Sequence, residues 1–148
     1  HLLRRDLHRP VPEPVVPADV DIGPLRDDEA ERAHALLARA HEDGGGELPP
    51  LAFWWESLHR DSEFDGELLL AARGDGDLLA VAHGWKTAFV KDLVVRPDAR
   101  RRGLARALVR TLLRAYAERG FDAVELKVTG DNMPADALYA GEGFVSAQ

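Results

Sequence analysis

The sequence predicts an α/β (α+β) domain in which a mixed central sheet, an antiparallel meander plus a parallel pair, is flanked by helices. Three observations predict it. Residues 67–95 hold three runs of strand-type residues separated only by turn-length gaps, the spacing of a meander. Residues 103–119 repeat apolar positions at helical spacing. A further strand and helix follow at 124–128 and 133–141, and a strand, helix, strand succession within one sheet forms a right-handed crossover between parallel neighbours.

The elements follow in order. Residues 10–18 carry four of the nine prolines and cannot form helix interior, so 1–18 is predicted to be an extended arm and 19–148 a single domain, the size of one hydrophobic core. Val20–Gly23 alternates weakly, as a short strand. The acidic run Asp27-Asp28-Glu29 suits a helix N-terminus, and Ala30, Ala33, Leu36, Leu37 and Ala40 continue a helix through His41 that Gly44-Gly45-Gly46 ends. A second helix spans roughly 50–60, with Phe53, Trp54, Trp55 and Leu58 as packing aromatics and apolars. Residues 67–73 and 78–85 read as strands joined through Gly74-Asp75-Gly76-Asp77, and 88–95 as a third strand closed by Arg96-Pro97-Asp98. On the long helix Leu104, Ala107, Leu108, Leu112, Ala115 and Tyr116 share one face, and Gly120 caps its end.

Composition narrows the function. With 45% hydrophobic and 30% charged residues the chain is an ordinary globular protein. A net charge of −7 argues against broad nucleic-acid binding. No stretch approaches the ~20 apolar residues of a membrane span, and His1-Leu2-Leu3-Arg4-Arg5 lacks the apolar core of a secretory signal, so no membrane partner and a cytoplasmic location are expected. The chain has no cysteine, which excludes a thiolate nucleophile or metal site. Yet Arg96, Arg100, Arg101, Arg102, Arg106 and Arg110 fall within fifteen positions, the pattern of a local anion site.

That cluster sits where the third strand feeds the long helix: Asp92-Leu93-Val94-Val95-Arg96-Pro97-Asp98-Ala99-Arg100-Arg101-Arg102-Gly103-Leu104-Ala105. The first amides of a helix lack intrahelical partners and carry partial positive charge, so they can cradle a pyrophosphate. Gly103 lets the backbone approach an anion, and Ala105 keeps that clearance. No G-x-G-x-x-G follows the first strand, which disfavours a dinucleotide-binding Rossmann domain.

Arg100-Arg101-Arg102-Gly103-Leu104-Ala105 resembles the (Gln/Arg)-x-x-Gly-x-(Gly/Ala) signature of the GNAT acetyltransferase superfamily, and Asn132-Met133-Pro134-Ala135-Asp136-Ala137-Leu138-Tyr139-Ala140-Gly141-Glu142-Gly143-Phe144 resembles its second signature, Asn-x-x-Ala-x-x-x-Tyr-x-x-x-Gly-Phe. The resemblance covers about 88–145 and implies the GNAT fold, with its parallel pair splayed, and acetyl-CoA or another short acyl-CoA as cofactor. It implies that main-chain groups of Leu93 and Val95 pair with the pantetheine arm, that the amides of Arg101, Arg102, Gly103, Leu104 and Ala105 hold the pyrophosphate with Arg100 nearby, and that Asn132 and Ala135 adjoin the pantetheine. Tyr139 is implied as the acid that protonates the departing thiolate, and the amide of Val94 or Leu93 as the donor that polarises the thioester carbonyl.

The reaction so implied is N-acyl transfer to a primary amine of a small molecule or peptide. A catalytically idle acyl-CoA sensor is the alternative. The chain departs from the pattern at Lys127, where some family members carry a glutamate base. Asp92 is then the first candidate base, followed by Glu125 and His83. Trp54, Trp55, His83 and Trp85 are candidates to shape the acceptor pocket. Only four residues follow Phe144, so the sheet is expected to be completed by the N-terminal arm, as an edge strand, or by a partner subunit in a homodimer.

Overall fold

The computed structural model describes residues 1–42, 47–129 and 133–147, with Met133 described by its backbone alone. Seven strands form one sheet in the order β2-β3-β4-β5-β6-β1-β7. They are β1 (Leu2–Asp6), β2 (Asp21–Pro24), β3 (Leu69–Gly74), β4 (Asp77–Trp85), β5 (Phe89–Val95), β6 (Ala123–Lys127) and β7 (Val145–Ser146). Helices α1 (Ala30–His41) and α2 (Leu51–Arg60) cover one face, and α3 (Leu104–Glu118) and α4 (Met133–Gly141) the other. The expected α/β architecture is observed. Among the described residues no helix is long and apolar enough to cross a membrane.

Local chemistry explains the elements. The β3–β4 hairpin turns on Asp75 (φ 54°) and Gly76 (φ 72°), the left-handed pair that suits the twist of a two-residue hairpin. Strands β2 to β5 run antiparallel, and β5 and β6 are parallel across the α3 crossover. The apolar stripe of α3 buries Leu108, Leu112, Leu113 and Tyr116 against Ala82, Val90, Val124 and Leu126. On the opposite face Ala33, Leu36 and Leu37 of α1 pack with Trp54 and Leu58 on Leu69, Ala71 and Val81. Each fully buried large apolar side chain contributes about 1.5–3 kcal/mol relative to exposure. α1 ends with Glu42 as its C-cap; the expected stop at Gly44-Gly45-Gly46 lies outside the described residues.

The N-terminal arm does supply a strand, but not an edge. β1 lies inside the sheet, pairing with β6 from Leu2↔Lys127 to Asp6↔Ala123 and with β7 at Leu3↔Ser146 and Arg4↔Val145. Buried Arg5 locks it, its guanidinium donating to the carbonyls of Asp6, Arg9, Pro10 and Glu142. The proline segment then crosses α3, where Arg114 donates to Val11 O and Arg110 to Glu13 O.

α3 fits the sheet closely at one backbone position. Tyr116 Oη donates to Trp85 O at 2.7 Å, directly above Gly84. A Cβ on Gly84 would overlap Tyr116 Oη and lie 3.1 Å from its Cζ and 3.2 Å from Leu112 Cδ2. Gly84→Ala is therefore expected to lower the unfolding free energy by about 2–3 kcal/mol, as overpacking does. Urea unfolding measures it, and a loss below about 0.5 kcal/mol would show that Tyr116 gives way freely.

Candidate active site

β5 and β6 start as neighbours and then part. They pair only at Phe89↔Glu125 and Val90↔Leu126, although β5 continues to Val95. A bulge in β5 contributes: β4 meets it at His83↔Asp92 and next at Gly84↔Val90, leaving Lys91 as the extra residue. Bulges bend a strand and re-aim the side chains beyond them. Val90 and Leu93 thereby both pack toward α3, while Val94 packs toward α1.

The opening exposes main-chain groups. Arg96 N donates to Leu79 O at 2.8 Å. Because bonded and non-bonded pairs alternate in an antiparallel ladder, Val94 bonds to Val81 on β4, and the N–H and C=O of Leu93 and Val95 point into the opening. The amide expected to serve the carbonyl is thus available on Leu93 and not on Val94.

Two cavities of about 400 and 740 Å³ meet here, sharing Ala40, Leu93, Val94, Ala135 and Tyr139 as walls. Together they make a groove from Thr129 to the start of α3. At its α3 end the loop places Arg101 (φ 65°) and Gly103 (φ 78°) in left-handed backbone, a geometry that gathers successive amides into an anion-binding concavity. A Cβ on Gly103 would meet nothing within 4 Å, so φ, rather than crowding within the protein, calls for glycine. Val95, Arg100, Arg101, Gly103, Leu104 and Ala105 all line this end.

The arginine cluster divides by partner. Arg96 pairs with Asp77 and Asp98, Arg102 with Asp19 at 2.7 Å, and Arg106 and Arg110 with Glu142 at 3.3 and 2.6 Å. The side chain of Arg102 is thus turned to Asp19, the residue that follows the N-terminal arm. Arg100 and Arg101 are the cluster's groove-lining cations outside these pairs. Glu142, buried at the end of α4, ties that helix to α3 and so fixes Tyr139 one turn before it.

Tyr139 is the buried phenol of the groove. Its ring meets Phe144 edge-on, with centroids 5.5 Å apart. Burial, and next the negative charge of Asp92, push its pKa up to about 12, so it holds its proton at neutral pH. Asp92 lines the groove with it and accepts from Lys91 Nζ at 3.2 Å. Asn132 lies outside the described residues.

Other expectations separate from this groove. Glu125 faces Arg4 of β1 at 3.9 Å. His83 is 4% exposed, packed between Phe64 and Trp85. Trp54 is core, and Trp55 lines a different cleft, of about 780 Å³, between α2 and the start of α1. None of Trp54, Trp55, His83 and Trp85 is among the groove's walls. Sequence reasoning missed His41 and Thr129, which are. His41 ends a helix that the sequence assigns only to packing.

Comparison with known proteins agrees with the fold. Residues 29–144 match the family model described as the acetyltransferase (GNAT) family. The chain is 32% identical over 97% of its length to a mycothiol acetyltransferase of Streptomyces bingchenggensis (strain BCW-1), covering 50% of that protein. It is 37% identical over 89% of its length to one from Clavibacter sepedonicus, covering 45%. The chain thus spans about half the length of the curated relatives it matches. A GCN5-related N-acetyltransferase from Sphaerobacter thermophilus superposes with a TM-score of 0.79 at 27% identity, over 97% of this chain and 47% of that one.

Proposed function

The chain belongs to the acetyltransferase (GNAT) family, and from that premise we propose that it transfers an acetyl group from acetyl-CoA, or another short acyl-CoA, to a primary amine. One observation carries the reading: the free main-chain edge of β5 opens onto the same groove as the left-handed turn before α3. An acyl-CoA needs both, an extended partner for its pantetheine amides and clustered N–H donors for its diphosphate. The amides of Gly103, Leu104 and Ala105, with Arg100 and Arg101, suit the diphosphate; Leu93 and Val95 suit the pantetheine.

When bound, acyl-CoA supplies an activated thioester. The chain's residues do the rest. Leu93 N–H is positioned to stabilise charge on the carbonyl oxygen. Tyr139, still protonated at neutral pH, donates to the thiolate. Asp92 gives the groove the negative charge that draws an ammonium. Holding both reactants in one groove supplies much of the acceleration.

CoA at about a hundred times its Kd should stabilise the fold by about 2.7 kcal/mol, read as a rise in Tm. The double variant Arg100→Ala/Arg101→Ala should lose most of that rise. Mixing acetyl-CoA with a panel of primary amines should release free thiol, and the relatives' name puts acceptors of mycothiol chemistry first in the panel. No thermal shift with CoA would overturn the reading; a shift without thiol release would leave a binding domain.

A further inference from the structure

The base that takes the acceptor's proton can be read from the groove. Of the three sequence candidates, Glu125 and His83 are not among its walls, and the carboxylate of Asp92 is already engaged by Lys91. A fourth group lines the same stretch as Asp92 and Tyr139: His41, in the last turn of α1. Its Nδ1 lies 2.8 Å from Leu37 O. A carbonyl only accepts, so Nδ1 carries the hydrogen, and the neutral ring keeps its lone pair on Nε2. Such a bond fixes which nitrogen can act as a base.

From this juxtaposition of an oriented imidazole, a buried phenol and a carboxylate around one groove, we propose that His41 is the general base of the transfer. The inference rests on the acetyl-transfer reading above. One proton passes from the acceptor ammonium to His41 Nε2, which becomes imidazolium. The freed nitrogen lone pair forms the new C–N bond to the acetyl carbon, and the C–S bond breaks with its electron pair going to sulfur. Tyr139 gives its proton to that sulfur and recovers one from the acylated nitrogen, while His41 returns its own to solvent. The balance is one amide, one CoA thiol and one released proton per ammonium and thioester. The charged and titratable groups that line the same cavity as His41 are Lys91 and Asp92 on β5, Lys127 on β6 and Tyr139 on α4, with Arg39 on α1 and its C-cap Glu42 flanking it in the chain.

The test compares wild type, His41→Gln and Asp92→Asn with saturating acetyl-CoA and an amine panel of L-alaninamide, glucosamine, spermidine and kanamycin. His41→Gln should lower kcat about 100-fold and flatten the acid-side fall of kcat/KM, with the CoA-induced Tm shift unchanged. Asp92→Asn should raise KM and keep that fall. Added imidazole should restore part of the activity of His41→Gly. A His41→Gln enzyme within about threefold of wild type, or one with its acid limb intact, overturns the assignment. Loss of the CoA shift in wild type instead defeats the acetyl-transfer reading. Should the panel yield no acceptor, nitrogen-15 spectra of the His41 ring decide: a neutral ring protonated on Nε2 refutes the proposal.

Discussion

Tyr139→Phe is expected to lower kcat by about two orders of magnitude while leaving CoA affinity nearly unchanged. The reasoning separates the two quantities. The ring forms a groove wall and packs edge-on to Phe144, and phenylalanine keeps that shape, so the space for pantetheine survives. Only the hydroxyl is lost, and with it the proton that the proposed acid role requires. Because burial and Asp92 raise the phenol to about 12, ionisation of Tyr139 should cause no alkaline fall in the wild-type rate up to about pH 10. Steady-state kinetics with calorimetric CoA titration checks both halves. A kcat within about twofold of wild type would move the acid role elsewhere.

The second large effect concerns stability. His83 Nε2 is the buried side-chain polar atom that finds no hydrogen-bond partner among the described residues, and burial lowers its pKa from 6.5 to about 4, against the opposing pull of Asp92. Buried polar groups are nearly always bonded, so this ring is neutral and resists protonation. Between those two values the unfolded chain takes up a proton that the folded chain refuses. Stability is therefore fully present above pH 6.5 and falls as pH drops toward about 4, by about 3 kcal/mol in all at 1.36 kcal/mol per unit. His83→Leu should remove that component and, by deleting an unsatisfied atom, hold or raise stability at pH 7. Urea unfolding across the acid range measures it, and parallel curves for the two proteins would refute the linkage.

What was legible in the sequence was local. The strand, loop and helix N-terminus of the candidate anion site could be read because they are contiguous from Asp92 to Ala105, and the hairpin because Asp75-Gly76 carries its own turn chemistry. Features set by distant partners were not. Nothing near Arg102 signals Asp19, eighty-three positions away, so the arginine cluster read as one anion site, whereas Arg102 pairs with Asp19, Arg106 and Arg110 with Glu142, and Arg96 with Asp77 and Asp98. The bulge at Lys91 arises from the mismatch of β5 with β4, and it decides which residues face α1. His41 carried no motif, and its place in the groove wall appears only when α1 is seen ending against the parted strands.

The placement of β1 bears on how the chain reaches this state. Leu2 must find Lys127 and Leu3 must find Ser146, so β1 is synthesised well before the strands it pairs with and joins the sheet only after they exist. Contacts this remote in sequence slow folding, and at about 5–20 residues per second of synthesis the strand waits many seconds on the ribosome. Until it docks, β7 lacks its pairing partner and the carbonyl of Glu142, just past α4, lacks Arg5. Assembly of the Tyr139 end of the groove is thus a late, ordered event in the life of the polypeptide.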